Sequence, residues 1–187
     1  MILDVFSRYV VAWMVQHREA AAVAEHLIAQ AVQQQKVEPG QLTVHADRGS
    51  SMTSKPVAFL LADLGVTKTH SRPYTSNDNP CSEAHFKTLK YRPGFPERFT
   101  SLEEARAFCR DFFEGYNGQH RHSGLALMTP ESVHYGRAAA LHEERARVLA
   151  AAHAARPERF VRGIPRPPEL PTAAWINQPA TPEAAHS

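Results

Sequence analysis

Apolar side chains recur along the 187 residues with two different periods, and the switches between them outline the elements. Ile2 to Val5 and Val10 to Val15 are β-branched and aromatic runs on either side of Phe6-Ser7-Arg8-Tyr9, which predicts a hairpin. From Ala20 to Gln35 the period lengthens. Val23, Leu27 and Ala31 fall four apart in an Ala- and Gln-rich stretch, an amphipathic helix ended by Pro39-Gly40. Leu42 to His45 is a short strand running into Ala46-Asp47-Arg48-Gly49-Ser50-Ser51. Ser54 is the expected N-cap of a helix whose stripe is Val57, Leu60, Leu61 and Leu64, with Gly65 as its stop. Val66 to His70 predicts another strand, and Ser71 to Asn79, dominated by turn formers, an exposed loop.

Asn79-Pro80 caps and opens a helix through about Lys90. The next helix begins near Thr100-Ser101, where Glu103 and Glu104 each follow a capping hydroxyl by three residues. Its inner face is Ala105, Phe108, Cys109, Phe112 and Tyr116, and Asn117-Gly118 ends it. Thr129-Pro130-Glu131 starts a last short turn of helix. This order predicts a small α/β domain, a mixed sheet with an antiparallel edge and helices packed on it. It occupies residues 1–136. Residues 137–187 are Ala/Arg-rich and then Pro-rich, a weakly structured tail with room for one helix before Arg156.

A composition of 43% hydrophobic and 21% charged residues excludes a collagen, a coiled coil and a chain that never folds. No apolar run approaches the roughly 20 residues that cross a bilayer, and Asp4 and Arg8 interrupt the opening segment. No membrane partner is expected. Cys81 and Cys109 are the only cysteines, too few for a disulfide framework, so the expected setting is cytoplasmic. The net charge is only +2, but six cations stand against three acids between Val66 and Arg98, a local surface suited to phosphate.

Two acids stand out. Asp47 lies just past a strand end, where ligands collect in open α/β sheets, and Glu83 lies in the first turns of a helix. Lys87 and Lys90 follow Glu83 at i+4 and i+7, at about 40° and −20° around the axis, so one stripe carries a carboxylate and two ammonium groups. Phe86 and Leu89 are expected to anchor the opposite side on the sheet. Spacing alone leaves two readings open: a stripe that holds a metal and grips phosphate, or surface Glu–Lys pairs of a few tenths of a kcal/mol. His120 and His122 lack accompanying Cys-x-x-Cys ligands, which argues against a zinc knuckle. His45 is expected to pack or hydrogen-bond near Asp47. Trp13, Trp175 and the two cysteines are expected to pack rather than react.

At these residues a family resemblance emerges. Val44-His45-Ala46-Asp47-Arg48-Gly49-Ser50-Ser51-Met52-Thr53-Ser54 resembles the second-aspartate block of the DDE transposases and retroviral-type integrases. Asn79-Pro80-Cys81-Ser82-Glu83-Ala84-His85-Phe86-Lys87-Thr88-Leu89-Lys90 resembles their glutamate helix, and the 35 residues between Asp47 and Glu83 match their spacing. The hairpin Leu3 to Trp13 and the later Tyr116-Asn117, Arg121-His122-Ser123 and Thr129-Pro130 also fit. The resemblance is closest to insertion-sequence transposases and covers about residues 1–135. It implies an RNase H-like fold and a site of two Asp and one Glu holding two Mg²⁺ or Mn²⁺ ions. It further implies DNA, as element ends and target, for the partner rather than a small-molecule substrate, and a homo-multimer for the working state. Asp47 and Glu83 would be metal ligands, and Lys87 and Lys90 would contact the DNA backbone.

In the family the first catalytic Asp sits in a Trp-x-x-Asp context on the strand before the hairpin, and this sequence has no such block. Asp4 matches the following strand and is expected to serve the turn. The expectation is therefore an N-terminally truncated, catalytically incomplete core. The alternatives are an RNase H-like nuclease that cuts without joining, or a non-catalytic DNA-binding remnant.

Overall fold

The computed structural model describes residues 1–72 and 80–176, and they divide between two compact units. One comprises residues 16–97 with 175 and 176; the other comprises residues 1–15 and 98–174.

In the first unit, α1 (Ala21–Gln35) packs on α2 (Lys55–Asp63), and α2 connects β3 (Thr43–Ala46) to β4 (Thr67–His70). β3 and β4 pair in parallel, Thr43 opposite Thr67 through Ala46 opposite His70. Parallel neighbours need a crossover connection, which α2 supplies. Val57 and Leu61 of the sequence stripe are fully buried, with Ile28, Ala31 and Val32 of α1. Gly65 ends α2 as expected: its φ is +63°, and its carbonyl accepts from Gly40 N at 2.8 Å. Two ends differ from expectation. α1 stops at Lys36, which is left-handed at φ 51°, before Pro39 is reached. Ser54 stands at the N-cap of α2, but its hydroxyl donates to Ser51 O at 2.7 Å and is spent on the preceding turn. α3 (Pro80–Lys90) completes this unit. Asn79 and most of the expected loop, residues 73–79, lie outside the described residues.

The second unit holds the hairpin of β1 (Ile2–Leu3) and β2 (Val10–Ala12), then α4 (Leu102–Gly118), α5 (Pro130–His134) and α6 (Ala138–Ala155). Asp4 builds the turn. It accepts from Phe6 N at 3.0 Å and Ser7 Oγ at 2.6 Å, and Arg8 follows in the left-handed region at φ 61°. His134 Nδ1 reaches the same carboxylate at 2.9 Å, joining turn to α5. Burial raises the Asp4 pKa, but the hydrogen bonds from His134, Ser7 and Phe6 outweigh it and hold the carboxyl at about 2. Of the two capping pairs open in the sequence, the fold uses one: Ser101 Oγ accepts from Glu104 N, and Glu104 accepts from Thr100 N and Oγ1. Ala105, Phe112 and Tyr116 are buried as expected, and Phe113 joins them against Trp13, with ring centroids 5.2 Å apart. Asn117 spends its amide on β2, accepting from Val10 N at 2.9 Å and donating to Val10 O at 3.1 Å.

Both pairings expected of a mixed sheet are therefore present among the described residues, but as separate two-stranded ladders, one in each unit. After Gly136 the chain is more regular than its composition suggests. α6 runs for 18 residues, and Arg145 donates to the carbonyls of Ala126 and Leu127 at 3.0 and 2.9 Å.

Candidate active site

β3 delivers Asp47 to an exposed turn at its carboxyl end. Gly49 N donates to Asp47 Oδ1 at 3.1 Å, and Thr53 N and Oγ1 return to Gly49 O, so the turn closes on itself. Gly49 is small for a reason: a Cβ there would lie 3.2 Å from Asp47 Oδ1 and 3.4 Å from Glu19 Oε1. Buried Ser51 donates to the Glu19 carboxylate, which fixes this second acid beside the turn. Glu19 sits in an irregular segment with no periodicity to mark it; its one sequence signal is an acid just ahead of a helix.

β4 holds the same turn from the side. His70 Nδ1 lies 3.1 Å from Asp47 O, Arg48 Nε donates to Ser71 O at 3.3 Å, and Ser71 N donates to Ala46 O at 3.1 Å. A carbonyl can only accept, so His70 carries its proton on Nδ1 in this contact. His45 is hydrogen-bonded as expected, to Thr69 Oγ1 at 2.9 Å and to Ser71 Oγ at 3.3 Å. Lys68 donates to Met52 O, so this cation serves the fold rather than an external phosphate.

Because β3 and β4 run in parallel, the chain leaves β4 at the edge where Asp47 leaves β3. α3 starts ten residues after His70 and presents Glu83 in its first turn. Glu83, Lys87 and Lys90 are all exposed, on one side of the helix. The inner side differs from expectation. His85 is the buried residue at 3% exposure, Leu89 is half-buried, and Phe86 stands 54% exposed. On a 100° step, His85 and Leu89 bracket the inner arc and Phe86 falls about 60° outside it.

Among the described residues no three His, Cys, Asp or Glu side chains form a metal-holding group. Asp47 and Glu83 nevertheless offer hard carboxylate oxygens in water, the donor type of Mg²⁺, which commonly takes one or two carboxylates and keeps several waters. In the other unit, His122 accepts from Gly124 N at 3.1 Å; burial lowers its pKa, with Arg8 and His120 adding to the effect. Cys81 and Cys109 are half-buried and form no disulfide, and burial raises the Cys109 thiol pKa.

The fold of this chain is found among solved structures. The catalytic core domain of BIV integrase superposes with a TM-score of 0.53, at 23% identity, covering 70% of this chain and 80% of that one. The fold is thus RNase H-like, that of retroviral integrase catalytic cores. Two family models, each described as an integrase core domain, match residues 1–76 and 64–130. The transposase for insertion sequence element IS904 of Lactococcus lactis subsp. lactis (strain IL1403) is 32% identical over 130 residues, 69% of this chain and 51% of the relative. Transposase InsF for insertion sequence IS3A of Escherichia coli (strain K12) is 30% identical over 132 residues, 70% of this chain and 46% of the relative. The chain belongs to the integrase-core family. It spans about half the length of the curated relatives it matches.

Proposed function

We propose that this chain is the core portion of a DDE-type polynucleotidyl transferase that cuts and joins DNA ends during movement of an insertion sequence. The observation carrying this reading is the parallel β3–β4 pair, which releases the Asp47 turn and the segment leading to Glu83 from one edge. Asp47 and Glu83 would hold Mg²⁺ or Mn²⁺. Two such ions stabilise the attacking and leaving oxygens of an in-line phosphodiester displacement. The chain's own residues prepare that chemistry. His70 and Ser71 hold the turn from the β4 side, Arg48 reaches from the turn to Ser71 O, and Gly49 N orients the Asp47 carboxylate. Lys87 and Lys90 present point charges to the DNA backbone, which position the strand without reading its sequence. We propose further that the chain works as a homo-multimer on element ends and target DNA in the cytoplasm.

Among the described residues no third acid joins Asp47 and Glu83, so ion placement would be loose and this chain by itself should join DNA poorly. Paramagnetic Mn²⁺ should broaden the amide signals of Gly49 and Ala84 together, and Asp47→Asn should abolish both effects. Broadening at only one of the two amides would refute a shared site. With Mn²⁺ and terminal-repeat DNA, the expected product is little or no strand transfer; robust joining would show the two-acid site to be sufficient.

A further inference from the structure

The outward side of α3 carries more than its cations. Tyr91 N donates to Lys87 O at 2.9 Å, so the helical turn continues through Tyr91. Around the axis, Phe86 then lies about 60° to one side of Glu83 and Tyr91 about 80° to the other, with Lys87 and Lys90 between them. Both rings face water, Phe86 at 54% and Tyr91 at 76% exposure, and Lys90 Nζ sits 5.8 Å from the Tyr91 ring centroid. One exposed aromatic means little. Two rings flanking two ammonium groups that form no ion pair among the described residues make a pattern that suits few ligands. Cores of protein interfaces are depleted in Lys and Glu, and here Lys87, Lys90 and Glu83 occupy the centre of the face. A paired duplex satisfies the lysines through phosphate but keeps its bases stacked away from the rings. An unpaired strand satisfies both, its phosphates on the ammonium groups and its bases on the aromatic faces.

We propose that this face is a stacking platform for unpaired nucleobases beside the DNA end, Phe86 and Tyr91 each taking a base while Lys87 and Lys90 hold the phosphates. The inference rests on the DNA reading above and adds to it the state of the strand: frayed rather than paired. Such a platform would hold the end open where the Glu83 carboxylate begins the same helix.

The test uses fluorescence anisotropy on the full chain, with a blunt duplex oligonucleotide and the same duplex bearing a short unpaired extension. The extended form should bind more tightly. Phe86→Leu and Tyr91→Leu should each weaken it by about fivefold to a hundredfold, the effect of losing one base–ring stack, and leave the blunt duplex within about twofold. Tyr91→Phe keeps the ring and should keep the affinity. Both leucine variants alter exposed positions, and unchanged circular dichroism checks that they fold. Equal binding of the two oligonucleotides, or equal weakening of both, overturns the platform while leaving the DNA reading in place. Unchanged nucleic-acid binding with lost self-association would assign the face to a second copy of the chain and likewise overturn it. Failure to bind either oligonucleotide overturns both readings.

Discussion

Asp4→Asn tests how the hairpin turn is held. The native carboxylate accepts from Phe6 N, Ser7 Oγ and His134 Nδ1, and its pKa falls from the usual 3.8 to about 2. Such a drop corresponds to at most about 2.5 kcal/mol of stability. One-third of the Asp4 side chain is exposed, so solvent screening reduces this to about 1 kcal/mol. The sign follows from the depressed folded-state value. The contribution is fully present above the unfolded pKa near 4 and disappears as pH falls through 2. Tyr9, stacked on His134 at 4.4 Å, shares the cluster but titrates far from this window, pushed up to about 12 by burial and by the Tyr135 hydroxyl. Urea unfolding followed by circular dichroism should place Asp4→Asn about 1 kcal/mol below the native chain at pH 6, with the gap closing towards pH 2. A gap that stays constant across this range would show that shape and hydrogen bonding, not ionisation, set the value of Asp4.

Gly65→Ala forces a side chain onto a backbone with φ +63° and sets its Cβ 2.8 Å from Pro39 Cβ; chemical denaturation should show a loss of about 2 kcal/mol or more. Leu125→Ala opens a cavity where the native side chain is 2% exposed and should cost about 2–5 kcal/mol by the same measurement. His70→Ala removes the donor to Asp47 O and should weaken Mn²⁺ binding by about tenfold in a calorimetric titration, an effect of the size seen when support for a ligand is lost. His70→Asn places an amide N–H where Nδ1 stood and should restore most of it; equal loss in both variants would refute the positioning role.

What the sequence reveals here follows from how far each signal reaches. Val57 and Leu61, Ser101 with Glu104, and Gly65 as a stop all act within a few residues, and each appears in the fold as its chemistry suggests. Ser54 misled because its hydroxyl had two local partners, the helix start and Ser51 O, and the preceding turn won. Hydrophobicity alone predicts burial for Phe86, while the axial geometry puts His85 on the inner arc. For the site, the strand end at Asp47 and the helix start at Glu83 were legible from turn formers and Pro80. The contacts of Glu19 with Ser51, and of His70 with Asp47 O, span tens of residues and have no periodic trace. Strand pairing has the same non-local character, which is why one mixed sheet was expected where two ladders stand.

Asn117 ends with a consequence beyond its own helix. By meeting both main-chain groups of Val10 on the side away from β1, its carboxamide stands in for one residue of a further strand. A short apolar ribbon with a free flank invites a neighbouring molecule to zip onto it. One side chain thus acts as a stopper, and truncating it to alanine would leave the ribbon sticky at the point where crowding would exploit it first.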